Sequence, residues 1–121
     1  MNKINELLSK SPEDRPLVIL ESPYAGDIEN NVRYAQLCVR DSIMKGESPM
    51  ATHLLYTQPN ILNDEIEHER DLGISVGLTW IRASSKTVVY TDFGISQGME
   101  HGIEMAKKYG NDIEYRTIGF K

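Results

Sequence analysis

Residues Gly94–Gly102 read G-I-S-Q-G-M-E-H-G, and three chemistries fit that spacing. Gly94, Ser96 and Gly98 have the G-x-S-x-G spacing of a nucleophile elbow. An elbow also needs a later acid and a later histidine on a core longer than this chain. The only histidine after Ser96 is His101, five positions on in the same expected helix, so that reading fails. In the second reading, the N–H groups of Gly94, Ile95, Ser96 and Gln97 begin a helix, where its dipole favours an anion such as a phosphate. The plainer version is that Ser96 caps the helix and the glycines only make the turn. In the third, Glu100 is a carboxylate just inside that helix. Beside a sugar, such a group can attack the anomeric carbon and form a glycosyl ester.

Other side chains narrow the field. His53, His68 and His101 are far apart and do not form H-E-x-x-H, so no metal site is expected, and attack by a glutamate carboxylate needs no organic cofactor either. Cys38 is the single cysteine, which forbids an internal disulfide and suits a cytoplasmic setting. The net charge of −5 argues against a nucleic-acid polymer as partner. No apolar run reaches the ~20 residues of a membrane span. The N-terminal stretch MNKINELLSKSPEDRP lacks the apolar core of a secretory leader, so no membrane association is expected.

These residues need elements to position them. Residues 1–121 read as a single domain. A short helix is expected over 2–9. The apolar run Leu17–Leu20 marks a strand buried on both faces. Ile28, Val32, Ala35, Val39 and Ile43 recur at helical spacing, with Gly46 as a stop. A second strand covers Pro49–Thr52, and a loop runs from His53 to Asn63. Asn63 or Asp64 caps a long helix carrying Ile66, Leu72, Val76, Trp80 and Ile81. Lys86–Thr91 is the third strand, about Ile95–Tyr109 the third long helix, and Ile113–Ile118 the fourth strand. This alternation predicts an α/β three-layer sandwich with a mostly parallel, flavodoxin/Rossmann-like sheet of four to five strands. Ligands in such sheets bind beyond the strands' carboxyl ends, which here gathers the loops Ser22–Asp27, Thr52–Gln58 and Asp92–Glu100.

Three segments carry a family resemblance: V-I-L-E-S-P-Y-A-G at 18–26, P-M-A-T-H-L at 49–54, and V-V-Y-T-D at 88–92 leading into G-I-S-Q-G-M-E-H-G. Together they resemble the nucleoside 2-deoxyribosyltransferases and the related 2′-deoxynucleoside 5′-monophosphate N-glycosidases, most of all the small, often phage-encoded branch. The likeness spans about Leu17 to Gly110. It implies cleavage or transfer at an N-glycosidic bond of a nucleotide or nucleoside, with Glu100 of Gly98-Met99-Glu100-His101-Gly102 as the nucleophile. By the same resemblance Tyr24 lies near the sugar and the carboxylate, with Ser22 and Gly26 in its loop. Gly94, Ile95, Ser96 and Gly98 contact the sugar or its phosphate, and His53 lines the base side. One departure stands out. Gly77 occupies the position, just before Leu78-Thr79-Trp80, where the family carries an acid for the leaving base. Asp71 lies two turns too early, which leaves Asp92 or a water for that role. A nucleotide-binding, sequestering protein without turnover is the alternative. The family also implies a homo-oligomer, for which Met44, Met50, Met99, Met105 and Tyr34 are candidate interface residues.

Overall fold

A computed structural model describes residues 2–120. Its elements are α1 (Lys3–Leu8), a 3₁₀ turn (Pro12–Asp14), β1 (Leu17–Glu21), α2 (Ile28–Met44), β2 (Ser48–Met50), α3 (Thr52–Leu55), α4 (Glu67–Ala83), β3 (Lys86–Tyr90), α5 (Gln97–Lys108) and β4 (Asp112–Arg116). The four strands form one all-parallel sheet in the order β2-β1-β3-β4. The chain thus runs outward from β1 to the edge strand β2, then crosses back over β1 to β3. That reversal makes the gap between the carboxyl ends of β1 and β3 the topological switch point.

Right-handed crossovers put α2 on one face and α4 and α5 on the other. The side chains divide accordingly. Val18, Leu20, Val88 and Tyr90 join Tyr34 and Cys38 of α2 in one core, while Val89 packs on Met99 and Ile103 of α5. The three-layer α/β sandwich expected from the alternation of elements is present, with a sheet of four strands. No helix among the described residues is long and apolar enough to cross a membrane.

A buried polar network anchors the α2 face. Arg116 at the end of β4 makes two hydrogen bonds to Glu47, at 2.7 and 2.6 Å. Ser42 adds a third to the same carboxylate at 2.8 Å. Burial pushes the Glu47 pKa up, but Arg116 and Ser42 outweigh it and hold the group down at about 2.

Several boundaries moved for local reasons. A short helix, α3, forms at Thr52–Leu55, where a loop was expected, and β2 ends at Met50. Asn63 caps only the turn before α4: its side chain accepts from the Glu65 amide at 3.0 Å, and the helix begins at Glu67 without a side-chain cap. The fourth strand stops at Arg116 because the amides of Ile118, Gly119 and Phe120 turn away to Asp92. Tyr34 and Met99 are fully buried core residues, and so are not interface candidates.

Candidate functional site

Strand alternation sends Val18 and Leu20 toward α2, and so sends Glu21, the last residue of β1, toward α5. The opposing position on α5 is Gly102. A Cβ there would stand 2.6 Å from the Glu21 carboxyl carbon and from one of its oxygens. Only glycine leaves that space, and the carboxyl fills it. Among the described residues the Glu21 carboxyl has neither a hydrogen-bond partner nor an ion pair. Glu21 keeps partial exposure at the crevice, yet burial raises its pKa from 4.5 to about 8. An unpaired, desolvated carboxyl at a switch point is the arrangement that perturbed functional groups adopt.

The expected nucleophile lies elsewhere on the same helix. Met99, Ile103 and Ala106 form the buried side of α5, and Glu100 points to solvent. Ser96 accepts a hydrogen bond from the Met99 amide at 3.3 Å, while its own amide faces the Met99 sulfur at 3.4 Å. Its hydroxyl is therefore used as the helix cap. Gly94 closes a turn on Thr91 with φ of +83°, a conformation that favours glycine. Ile95 is exposed, and Gly98 has open space around it. None of the residues from Gly94 to Gly98 carries a charge.

The loop after β1 supplies the opposite wall. Ser22 is buried, and its Oγ lies 2.8 Å from His53 Nε2 on α3. Burial lowers the His53 pKa to about 4, so the imidazole is neutral at pH 7. Asn31 donates to the carbonyls of Tyr24 and Ala25 at 3.0 and 3.1 Å, which fixes the loop that carries the half-buried Tyr24. Gly26 turns this loop into α2 at φ +101°, and Asp27 caps the helix by accepting from the Asn30 amide. Glu21 at the end of β1, Ser22 in the loop that follows it and His53 on the neighbouring α3 thus stand at one edge of the sheet.

Asp92 does different work. Its carboxylate accepts from the Tyr34 hydroxyl at 2.6 Å and from the amides of Ile118, Gly119 and Phe120 at 2.9–3.2 Å. Partial burial favours the neutral form, but these donors prevail and lower the pKa below the ordinary aspartate value. A carboxylate so saturated has no proton to give, and it serves as the clasp for the C-terminal segment. Gly77, where the family acid was expected, is buried against Thr52. Two grooves lie elsewhere: one of about 600 Å³ between α2 and the C-terminal segment, and one of about 190 Å³ between α4, β1 and β2. The crevice residues line neither.

Sequence reasoning passed over Glu21. Its signal was a single charged residue closing a wholly apolar parallel strand at the carboxyl end, where sheets of this class bind ligands. What the sequence did not show was that Gly102, on a helix remote from β1 in the chain, faces it.

The chain belongs to the family described as a domain of unknown function, DUF7768, whose model matches residues 16–116. No curated protein and no solved structure matches it.

Proposed function

We propose that this protein cleaves or transfers at the N-glycosidic bond of a nucleoside or nucleotide, and that Glu21 is the reacting carboxylate. The observation that carries this reading is the unpaired Glu21 carboxyl lodged against Gly102 at the switch point. A desolvated anion without a partner is unfavourable in the free protein. A sugar developing positive charge at its anomeric carbon supplies the missing partner in the transition state, where stabilisation counts.

In the step proposed, a Glu21 oxygen bonds to the anomeric carbon as the bond to the base breaks. The electron pair leaves with the base, which takes a proton from water. The hydroxide so formed attacks the anomeric carbon, giving free sugar and restoring the carboxylate. If a second base, having lost its proton to that hydroxide, attacks instead, the outcome is transfer. His53 is neutral and Asp92 is saturated, so water is the proton source this reading uses. The loops 22–27, 52–58 and 92–100 contain no lysine or arginine, which favours an uncharged nucleoside over its monophosphate. The saturated Asp92 and the glycine at position 77 favour the second reading, a protein that binds the same ligand without turnover.

The test is chromatographic. Wild type, Glu21→Gln and Glu100→Gln are incubated with ribo- and deoxynucleosides and their 5′-monophosphates, and free base is measured. Release by wild type and Glu100→Gln, with loss in Glu21→Gln, is the expected result. No release from any substrate, with a nucleoside raising the melting temperature, moves the assignment to a binding protein. Loss in Glu100→Gln alone returns the nucleophile to α5.

A further inference from the structure

The outer side of α2 carries a patterned stripe. Arg33, Leu37, Arg40 and Met44 follow one another at steps of four, three and four residues. At 100° per residue they fall within about 60° of one another around the helix. The buried residues Tyr34, Cys38 and Ser42 point well away from that direction, into the core. The stripe forms one wall of the groove of about 600 Å³, and the C-terminal segment 118–120 forms the other. That volume lies in the range of small-molecule sites, about 300–1,000 Å³.

Charge indicates what the groove accepts. Arg33 and Arg40 stand about 10 Å apart along the helix. Neither has an ion-pair partner among the described residues. Arg33 is nonetheless held at the groove, its guanidinium 5.6 Å from the centre of the Phe120 ring. Asp41 is the one carboxylate that lines the groove among the described residues, and it is already engaged. It accepts from the Tyr90 hydroxyl at 2.8 Å and from Lys45 at 2.9 Å. A chain of formal charge −5 thus offers two uncompensated guanidiniums in one groove. Guanidiniums bind carboxylate and phosphate through paired N–H donors. Between and beside them Leu37, Met44 and Phe120 supply an apolar floor, with Leu37 39% exposed.

We infer that this groove is a second ligand site, separate from the Glu21 crevice, and that it takes a small organic anion. Arg33 and Arg40 bind the carboxylate or phosphate, and an apolar body lies on Leu37, Met44 and Phe120. The ligand leans on the segment whose amides Asp92 holds, so its binding braces that segment. The site stands whether or not the crevice is catalytic.

Fluorescence titration of the full chain with 8-anilinonaphthalene-1-sulfonate tests the site, beside N-phenyl-1-naphthylamine, the same aromatic body without the charge. The expected result is one sulfonate bound per chain, tighter than the neutral probe, with a raised melting temperature. Arg33→Gln combined with Arg40→Gln weakens the sulfonate about tenfold or more and leaves the circular dichroism of the free protein unchanged. Leu37→Glu weakens both probes, and Arg82→Gln on α4 binds them as wild type does. No saturable binding, a double variant that binds as wild type, or a neutral probe held as tightly as the sulfonate overturns the proposal. So does a peptide of alternating glutamate and leucine that displaces the sulfonate and binds more tightly, which gives the groove to a protein partner. A mass that doubles in light scattering as the sulfonate is expelled gives the groove to a second copy and overturns it as well.

Discussion

Two neighbouring strands end in a carboxylate at the same edge of the sheet, and the two are treated in opposite ways. Asp92, just beyond β3, receives a hydroxyl and three backbone amides and is held ionised. Glu21, at the end of β1, receives no donor among the described residues and is pushed up to about 8. Position in the fold is nearly the same, and the supply of hydrogen-bond donors decides the difference. The first group is committed to holding Ile118 and Phe120 over Tyr34 and Phe93. The second is left with an unmet electrostatic need, which a ligand can fill. A carboxylate that the protein has already satisfied stabilises the fold; one that it has desolvated and left alone is suited to chemistry.

The comparison breaks most sharply on activity. Under the proposed function, Glu21→Gln lowers base release by ~10⁴ or more, read from initial rates, and Asp92→Asn lowers it only as far as the fold is loosened. Gly102→Ala sharpens the same point. Alanine helps a helix by about 1 kcal/mol, but its methyl needs the space of the Glu21 carboxyl, and the flexible end of that side chain is what yields. We expect a large loss of activity with the denaturation midpoint nearly unchanged.

Stability separates the two residues the other way. Asp92→Asn weakens the charge-assisted hydrogen bonds that hold the C-terminal segment, and costs about 2–3 kcal/mol in urea unfolding. Glu21→Gln is neutral or stabilising above pH 8, since it removes a desolvated anion.

The smallest effect is the pH dependence of stability, where the signs oppose. Glu21 has a folded pKa above its unfolded value of 4.5, so the folded state holds its proton longer. Its contribution is fully present below about 4.5 and is lost as pH rises through about 8. Asp92 and Glu47 have lowered folded values, with Glu47 at about 2. Their contributions are present above the ordinary carboxylate range and are lost as pH falls through the folded values. Melting temperatures should therefore decline between pH 5 and 8 in wild type and lose that slope in Glu21→Gln, while both fall on acidification. On the catalytic side, kcat/KM should rise with pH and level above about 8, because the nucleophile must be ionised. A rate that falls above pH 8 would make Glu21 an acid instead.

Much of this was legible in residue order. The apolar run Leu17–Leu20, the helical spacing from Ile28 and the glycine stops are local signals, and a strand–helix alternation with short connections leaves few topologies open. The three loops that gather at the carboxyl edge followed from that alone. Ser96 as a cap was legible too, because capping depends on residues three apart. The sequence could not say which carboxylate enters the crevice. Glu100 sits in a motif and Glu21 in a strand, and motif spacing draws attention to the first. Which of them is buried depends on the face α5 turns to the sheet and on a glycine eighty-one positions from Glu21 in the chain, whose missing side chain makes the room. Nor could it say that Asp92 is consumed by the amides of 118–120, since that contact exists only once β4 lies beside β3. Local order determined the elements and the edge at which they end; long-range packing decided which charged group was left without a partner there, because desolvation and donor supply are properties of the assembled neighbourhood and not of the residue.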